Sequence, residues 1–261
     1  MRGGAQSHLI EAADGYFYVV KAPNNPQHRR VLVNEWLATA FLKYLQIPAA
    51  EAALVHVPPE LVESSPGFSF QLGSRLVPVS PGWHYGSRCP ADPGATALYD
   101  YVAWTVAAGV HNLRDFLGAY AFDKWMGNSD VRQALFFRAA LGSSSDEPRR
   151  GWVAWMIDHG YVFDGPAWGF RDSPLAGMFV HKRIYEIARR WEDFEPWLER
   201  IEGFPEQVID EAWRSLPPEW IDADEADLER VLDRLLDRRS RVRALIEDAW
   251  RAPGSPFANL R

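Results

Sequence analysis

The sequence predicts an α+β fold of two lobes, a small β-rich lobe followed by a mostly helical one. Runs of β-branched and aromatic residues flank one helical pattern within residues 1–57. Residues 58–97 are rich in Pro, Gly and Ser, which is typical of a hinge, and beyond them apolar residues recur at helical spacing. We therefore assign residues 1–79 to the N-terminal lobe, 80–97 to a linker and 98–261 to the C-terminal lobe.

Composition limits the partners and the compartment. The net charge of -7 argues against non-specific nucleic-acid binding, although one locally positive pocket can still bind a nucleotide. Cys89 is the single cysteine, so an intrachain disulfide is excluded and a reducing, cytoplasmic location is expected. Because no apolar run approaches the roughly 18 residues that span a bilayer, we expect no membrane partner.

Elements of the N-terminal lobe follow from local patterns. Residues 16–22 (YFYVVKA) and 52–57 (AALVHV) are predicted strands. Residues 30–47 carry apolar side chains at helical spacing and are followed by Pro48, which ends a helix. Residues 68–79 are predicted to form one kinked strand, and residues 80–94 a loop.

The C-terminal lobe opens with a predicted helix and a hairpin. The helix begins at Asn112, a favourable N-cap residue, and ends at Gly127. Residues 133–140 and 152–158 are predicted hairpin strands, joined by an exposed turn at 142–151. Residues 174–250 are predicted to be helices with short Pro-containing breaks.

Two acids flank this hairpin. Asp130 precedes the first strand and Asp158 ends the second. Because a hairpin returns its two ends to the same place, the two carboxylates should lie near each other. Such a pair can bind a divalent cation, or one acid can bind metal while the other handles a proton. The alternative is a pair of solvated loop acids.

The N-terminal lobe offers groups suited to phosphate. GGAQS (3–7) is a glycine-rich turn whose N–H groups can hold phosphate oxygens, or else an ordinary flexible N-terminus. Lys21 lies near the end of an apolar strand and Glu35 on the following helix. A buried lysine needs a counter-charge, and a strand lysine paired with a helix glutamate is how protein kinases grip nucleotide phosphates. The alternative is a lysine that points to water.

The order of these parts is more informative than any one of them. A glycine-rich loop, strand lysine, helix glutamate, linker, catalytic-type aspartate, hairpin and metal-type aspartate follow one another along the chain. That is the order found in a protein-kinase-like phosphotransferase.

Several segments resemble the HipA-like kinases, bacterial relatives of the HipA toxin kinase. The resemblance covers about residues 1–165 and rests on these stretches: RGGAQSHL, YVVKAPNNPQHRRVLVNEWLA, HYGSR, FDKWMGNSDVRQALFF and WMIDHGYVF. It implies a two-lobed kinase fold with ATP and Mg²⁺ bound between the lobes.

The resemblance also implies roles for individual residues. The phosphate loop would consist of five residues: Gly3, Gly4, Ala5, Gln6 and Ser7. Lys21 would touch the α- and β-phosphates, with Glu35 fixing it. Asp130 would be the catalytic aspartate that orients the acceptor hydroxyl and takes its proton, and Asp158 would hold Mg²⁺.

The chain departs from the family at three places. Many relatives carry an asparagine metal ligand five residues after the catalytic aspartate, where this chain has Leu135, so either Gln133 substitutes or one metal contact is missing. The usual histidine two residues after that aspartate is Arg132, which would meet a phosphate or stabilise Asp130. Relatives also have a strand before the phosphate loop, so either the sheet is one strand shorter or the assigned start lies downstream of the true one.

Three neighbouring polar residues are predicted to support the site. Asn128 would cap the catalytic turn, Asp123 would buttress Asp130, and His159 would hold the turn after Asp158.

The leading hypothesis is an ATP- and Mg²⁺-dependent kinase that phosphorylates a Ser or Thr hydroxyl, on itself or on a partner protein. A nucleotide-sensing pseudokinase is the second hypothesis, suggested by Leu135. A lipid or small-molecule kinase is the third, although no basic amphipathic face lies near the site to favour a membrane substrate. The fourth is a helical interaction protein that uses residues 174–250 as its contact surface.

Overall fold

The computed structural model describes residues 4–141, 149–257 and 259–260. It is a mixed α/β structure with small antiparallel sheets and many helices. The strands are β1 (His8–Glu11), β2 (Phe17–Lys21), β3 (Ala52–Val57), β4 (Ser69–Leu72), β5 (Arg75–Pro78), β6 (Gly82–Arg88), β7 (Gln133–Leu141) and β8 (Arg149–Ile157). No helix in these ranges is long and apolar enough to cross a membrane.

The helices are concentrated in the second half of the chain. They are α1 (Arg30–Tyr44), α2 (Pro59–Ser64), α3 (Trp104–Ala107), α4 (Asp115–Met126), α5 (Trp197–Glu202), α6 (Glu206–Arg214), α7 (Pro218–Ile221), α8 (Glu225–Arg238) and α9 (Val242–Arg251). Short 3-10 turns occupy Val162–Ala167, Lys182–Ile187, Trp191–Phe194 and Arg239–Arg241. The helical character predicted for residues 174–250 is thus confirmed from α5 onward.

Strand β6 corrects the loop predicted at residues 80–94. It lies between β2 and β3 in a four-stranded antiparallel sheet of order β1-β2-β6-β3. The glycines and polar residues that surround its two aromatic residues, Trp83 and Tyr85, conceal the strand pattern. A side chain at Gly86 would put its Cβ 2.6 Å from Val55 Cγ2, so crowding by the neighbouring strand requires glycine there.

Residues 68–79 form a hairpin instead of the single kinked strand that was predicted. β4 and β5 pair with each other, and Gly73 turns the chain between them at a φ of 60°. A left-handed turn position explains why glycine, and not a kink within one strand, interrupts this segment.

Helix α4 ends where the sequence predicted and begins later. Gly127 adopts a left-handed conformation (φ 61°) at its C-terminus, as expected. Asn112 is not its N-cap, since the helix begins at Asp115. The Asn112 amide instead binds the backbone of β8, donating to Ala154 O (2.8 Å) and accepting from Ala154 N (2.9 Å). Its side chain is therefore used to attach the start of α4 to the hairpin.

The predicted hairpin is confirmed as β7 and β8. Gln133 pairs with Ile157 at one end, and the strands continue to Leu141 and Arg149 at the other. The predicted turn at 142–151 lies mostly outside the described residues, which resume at 149. Asp130 and Asp158 therefore flank the same end of the hairpin, as its connectivity required.

The C-terminal helices brace α1, the helix that carries Glu35. Trp36 Nε1 donates to Ser215 Oγ (2.8 Å), and the fully buried Trp220 packs against the same indole. At the start of α1, Arg30 forms ion pairs with Asp224 and Asp227. Much of the apolar surface of the tail is therefore used within this chain.

Substitution of Gly127 at the end of α4, compared with Gly73 in the β4–β5 turn, tests the packing around that helix end. Gly127 and Gly73 share a φ near 60°, but an added Cβ at Gly127 would lie 2.9 Å from Phe170 Cδ1, whereas nothing lies within 4 Å of one at Gly73. We expect Gly73→Ala to cost about 1 kcal/mol of unfolding free energy, from the left-handed conformation alone. Gly127→Ala should cost about 1–3 kcal/mol more because of the clash. Equal losses in urea denaturation would contradict this packing.

Candidate active site

A buried lysine joins three distant parts of the chain. Lys21, the last residue of β2, is 7% exposed, so its charge must be compensated within the protein. Its Nζ forms an ion pair with Glu35 Oε1 on α1. The same Nζ lies 2.7 Å from Asp158 Oδ1, directly after β8. The structure thus brings together three of the predicted site residues.

Two polar residues of α1 hold the loop that follows β8. Glu35 Oε2 accepts a hydrogen bond from the His159 backbone N–H at 2.9 Å. Asn34 Nδ2 donates to Gly160 O at 2.8 Å, and its Oδ1 accepts from Trp168 Nε1 at 2.8 Å. Asn34 was not among the predicted site residues, although an amide beside Glu35 and flanked by apolar residues of the same helix is a recognisable signal.

Glycine is required at position 160 by the closeness of α1. An added Cβ there would lie 2.5 Å from Val31 Cγ1 and 3.5 Å from Glu35 Oε1. The Asp-His-Gly sequence therefore lets α1 approach the turn closely enough for Glu35 to reach both Lys21 and the backbone.

The ion pairs determine the protonation states at the site. Burial alone would lower the pKa of Lys21, but the Glu35 and Asp158 carboxylates outweigh it and raise that pKa above its ordinary value. Burial would raise the pKa of Asp158, yet the Lys21 charge lowers it to about 2. Asp158 is thus ionised at neutral pH, as a metal ligand must be.

Gln133 and Asp158 form a pair of oxygen-bearing groups at the end of the hairpin. Gln133 Nε2 donates to Asp158 Oδ2 at 2.8 Å, which leaves the amide oxygen of Gln133 close to the carboxylate. Among the described residues, no three His, Cys, Asp or Glu side chains converge as a metal centre. Mg²⁺ in nucleotide sites is usually held by one or two protein oxygens together with substrate phosphates, so these two residues fit that mode.

Asp130 is exposed, and the turn that carries it is held by hydrogen bonds to buried neighbouring residues. The buried Asn128 accepts a hydrogen bond from Asp130 N (3.1 Å) and donates to Asp123 Oδ1 (2.9 Å). Asp130 O accepts from Gly177 N at 3.1 Å. Asn128 therefore caps this turn and Asp123 supports it, as the sequence predicted. The Asp130 carboxylate remains accessible to a ligand from solvent.

The predicted phosphate loop is described from Gly4 onward, and Gly3 lies outside the described residues. Ala5 is buried in the turn before β1. The Gln6 side chain is bonded to β4, where its Oε1 accepts from Gln71 N (2.7 Å) and its Nε2 donates to Gln71 O (2.9 Å). The Gln6 side chain is thus engaged by β4, and Ser7 directly precedes β1.

Gln27 connects the predicted phosphate loop with the segment after Asp158. The position of a Cβ on Gly4 is filled by the Gln27 side chain, so the loop and this amide are in contact. Gln27 Nε2 in turn donates to Tyr161 Oη at 3.3 Å. Gln27 therefore links the start of this loop to the segment that follows Asp158.

The burial of Arg132 contradicts the predicted contact with phosphate, and its side chain is linked to the turn of Asp130 only indirectly, through Asp123 and Asn128. Arg132 is 1% exposed and forms a buried ion pair with Asp123. Arg132 Nη1 also lies 2.7 Å from His159 Nδ1. Burial and the neighbouring Arg132 charge lower the pKa of His159, so the neutral ring accepts this hydrogen bond and holds the turn, as predicted.

These features define a class of protein. A buried strand lysine paired with a helix glutamate, a carboxylate after a hairpin and an exposed aspartate at the same end are the parts with which kinase-type phosphotransferases hold nucleotide and acceptor. A family model described as HipA-like kinase matches residues 1–251, so this chain belongs to the HipA-like kinase family. The resemblance found from the sequence is thereby confirmed and extends through the helical tail. A search of the curated proteins found no match.

Removing the Lys21 charge should reverse the direction in which the pKa of Asp158 is shifted. In Lys21→Met, burial acts on Asp158 without the compensating charge, so its pKa should rise from about 2 to above the ordinary 3.8. The native state would then bind more protons than the unfolded state above pH 3.8, so unfolding free energy should fall as pH rises toward the new pKa.

Carboxyl ¹³C NMR and urea denaturation between pH 4 and 8 measure the two effects. Lys43→Met, which removes an exposed lysine near the end of the same α1 helix, is the control and should leave the Asp158 pKa unchanged. An Asp158 pKa that stays near 2 in Lys21→Met would show that another group lowers it.

Proposed function

We propose that this protein is an ATP- and Mg²⁺-dependent kinase with a two-lobed, protein-kinase-like fold that phosphorylates Ser or Thr hydroxyls of a protein, either itself or a partner. The observation that carries the proposal is the contact of Lys21 with both Glu35 and Asp158. Lys21 can be buried only because both carboxylates compensate its charge. At the end of β2 it would face a cation-bound triphosphate. Membership of a kinase family supports the same conclusion.

Each residue at the site has a proposed role in binding the nucleotide. Lys21 neutralises the α- and β-phosphates and Glu35 fixes its position. Asp158 and Gln133 would hold Mg²⁺, which would supply positive charge to neutralise the charge that develops on the phosphates. The backbone N–H groups of the loop Gly3, Gly4, Ala5, Gln6 and Ser7 receive the remaining phosphate oxygens.

Asp130 acts on the acceptor. Its exposed carboxylate orients the acceptor hydroxyl and takes its proton while the hydroxyl oxygen forms a bond to the γ-phosphorus. The bond between that phosphorus and the β–γ bridging oxygen breaks, and ADP leaves with its electron pair. The protein contributes mainly by positioning the reactants and neutralising charge.

The proposed cleft lies between two lobes, with the N-terminal lobe at residues 1–79, a linker within 80–97 and the C-terminal lobe at 98–261. Because β6 belongs to the N-terminal sheet, we extend the proposed N-terminal lobe to Arg88 and shorten the proposed linker to residues 89–97.

A nucleotide sensor that transfers no phosphate is the second candidate function. Leu135 occupies the place of the amide ligand carried by many relatives, and Gln133 donates its amide N–H to Asp158. Such a protein would bind ATP and Mg²⁺ with fewer ligands on the cation. It would be stabilised by the nucleotide without producing phosphorylated product.

Asp130→Asn and Asp158→Asn should separate the two proposed roles. We expect each to lower phosphate transfer from labelled ATP by about 100-fold or more. Asp130→Asn should keep the rise in Tm that ATP and Mg²⁺ cause in the wild type, whereas Asp158→Asn should lose the part that depends on Mg²⁺. Asp233→Asn, an exposed change on α8, is the matched control and should behave as wild type.

The assay contains the purified protein alone or with a cell lysate, so labelled product reveals self-phosphorylation, a partner protein or a small molecule. A Tm rise without any labelled product would favour the sensor. No Tm rise and no product, with Asp158→Asn indistinguishable from wild type, would overturn both candidate functions.

A further inference from the structure

Arg132 is a fully buried arginine located two residues after Asp130. Its Nε donates to Asp123 Oδ2 at 2.8 Å, and its Nη2 pairs with the other oxygen of the same carboxylate. Asp123 belongs to α4 and also accepts from Asn128, which caps the turn of Asp130. The guanidinium is thus anchored on the structure that supports the proposed catalytic aspartate.

The opposite edge of the guanidinium faces the turn that carries Asp158. Arg132 Nη1 donates to Ile157 O at 3.2 Å and to His159 Nδ1 at 2.7 Å. These two residues flank Asp158 on either side. One nitrogen of Arg132 therefore grips the chain immediately before and immediately after the proposed metal ligand.

Asp158 needs such support because of its backbone. Its φ of 56° is left-handed, a conformation that aspartate tolerates but that the surroundings must hold. On one side α1 supplies Glu35 and Asn34, which bind His159 N and Gly160 O. On the other side the support comes from Arg132.

A fork-shaped side chain suits this task. The planar guanidinium presents donors in fixed directions, so it can bind a carboxylate along one edge and two acceptors of a different segment with its remaining nitrogen. A lysine has the same charge but cannot make these bonds at once. The geometry at Arg132 therefore depends on the shape of the group as well as on its charge.

We propose that Arg132 is a positioning residue for cation binding: by gripping Ile157 and His159 it fixes the turn that aims the Asp158 carboxylate at the nucleotide-bound cation. This rests on the proposed function, since it gives Asp158 the role of Mg²⁺ ligand. Arg132 acts through the turn and does not itself touch nucleotide or acceptor.

Arg238 provides a matched control. It is 4% exposed, forms an ion pair with Asp172, and donates to Trp125 O and Lys124 O at 2.8 Å each. It thus makes the same kinds of bond as Arg132 with the last turn of α4. Loss of its fork should lower stability in the same way without loosening the Asp158 turn.

The test compares Arg132→Lys with Arg238→Lys in the full chain, by hydrogen exchange and by the Mg²⁺ dependence of ATP turnover. In Arg132→Lys we expect faster amide exchange across residues 157–162 and a rise of about tenfold or more in the Mg²⁺ concentration that gives half-maximal turnover. In Arg238→Lys we expect a comparable fall in Tm with neither change. Asp123→Asn, which keeps the shape of the anchor and removes its charge, should change both readouts in the same direction as Arg132→Lys, and it serves where Arg132→Lys does not fold.

The outcomes distinguish this proposal from the proposed function. If the wild type shows no Mg²⁺-dependent turnover, the proposed function fails, while faster exchange confined to the Arg132 and Asp123 variants still supports the grip on the turn. If the Arg132 and Arg238 variants change exchange and Mg²⁺ dependence equally, or if Asp123→Asn leaves the turn as protected as in the wild type, Arg132 has only a general structural role.

Discussion

The burial of one ammonium group constrains the whole arrangement. Lys21 is withdrawn from water at the end of β2, and an uncompensated charge there would cost several kcal/mol. Its two carboxylate partners lie 14 and 137 residues away along the chain, on α1 and after β8. Compensating this single charge therefore requires the N-terminal sheet, helix α1 and the hairpin to meet at one point.

A charge cluster of this kind holds its geometry only if its supporting elements cannot drift. Helix α1 is fixed at its start by Arg30 and along its length by Trp36, both of which contact the helical tail. The tail is thus part of the support for Glu35, which fits a family match that continues to residue 251. A partner protein that bound the apolar face of the tail would compete with this packing. It would have to displace α1 from the tail residues that hold it.

Local patterns in the sequence predicted several of the elements and the three residues that meet at Lys21, and long-range geometry accounts for what they missed. Lys21, Glu35 and Asp158 were recognisable because a lysine in an apolar strand and an acid after a hairpin strand are anomalies within a few residues. β6 was missed because the glycine at position 86 is required by a side chain of another strand, Val55, which is distant in sequence. The partner of Arg132 was missed because a buried ion pair is invisible until the fold brings Asp123 beside it.

The polar residues set in the apolar stretch from Phe122 to Phe137 form one continuous path of contacts. Asp123 binds Asn128 and Arg132, and Arg132 binds His159. The His159 backbone N–H then binds Glu35, whose carboxylate binds Lys21. The buried groups in this path donate and accept hydrogen bonds among themselves, because a buried polar atom without a hydrogen-bond partner is destabilising. The exposed Asp130 and half-buried Asp158 lie at the margins of this path, where their side chains are still partly open to solvent, whereas the groups inside the path are buried and hold the two turns in place.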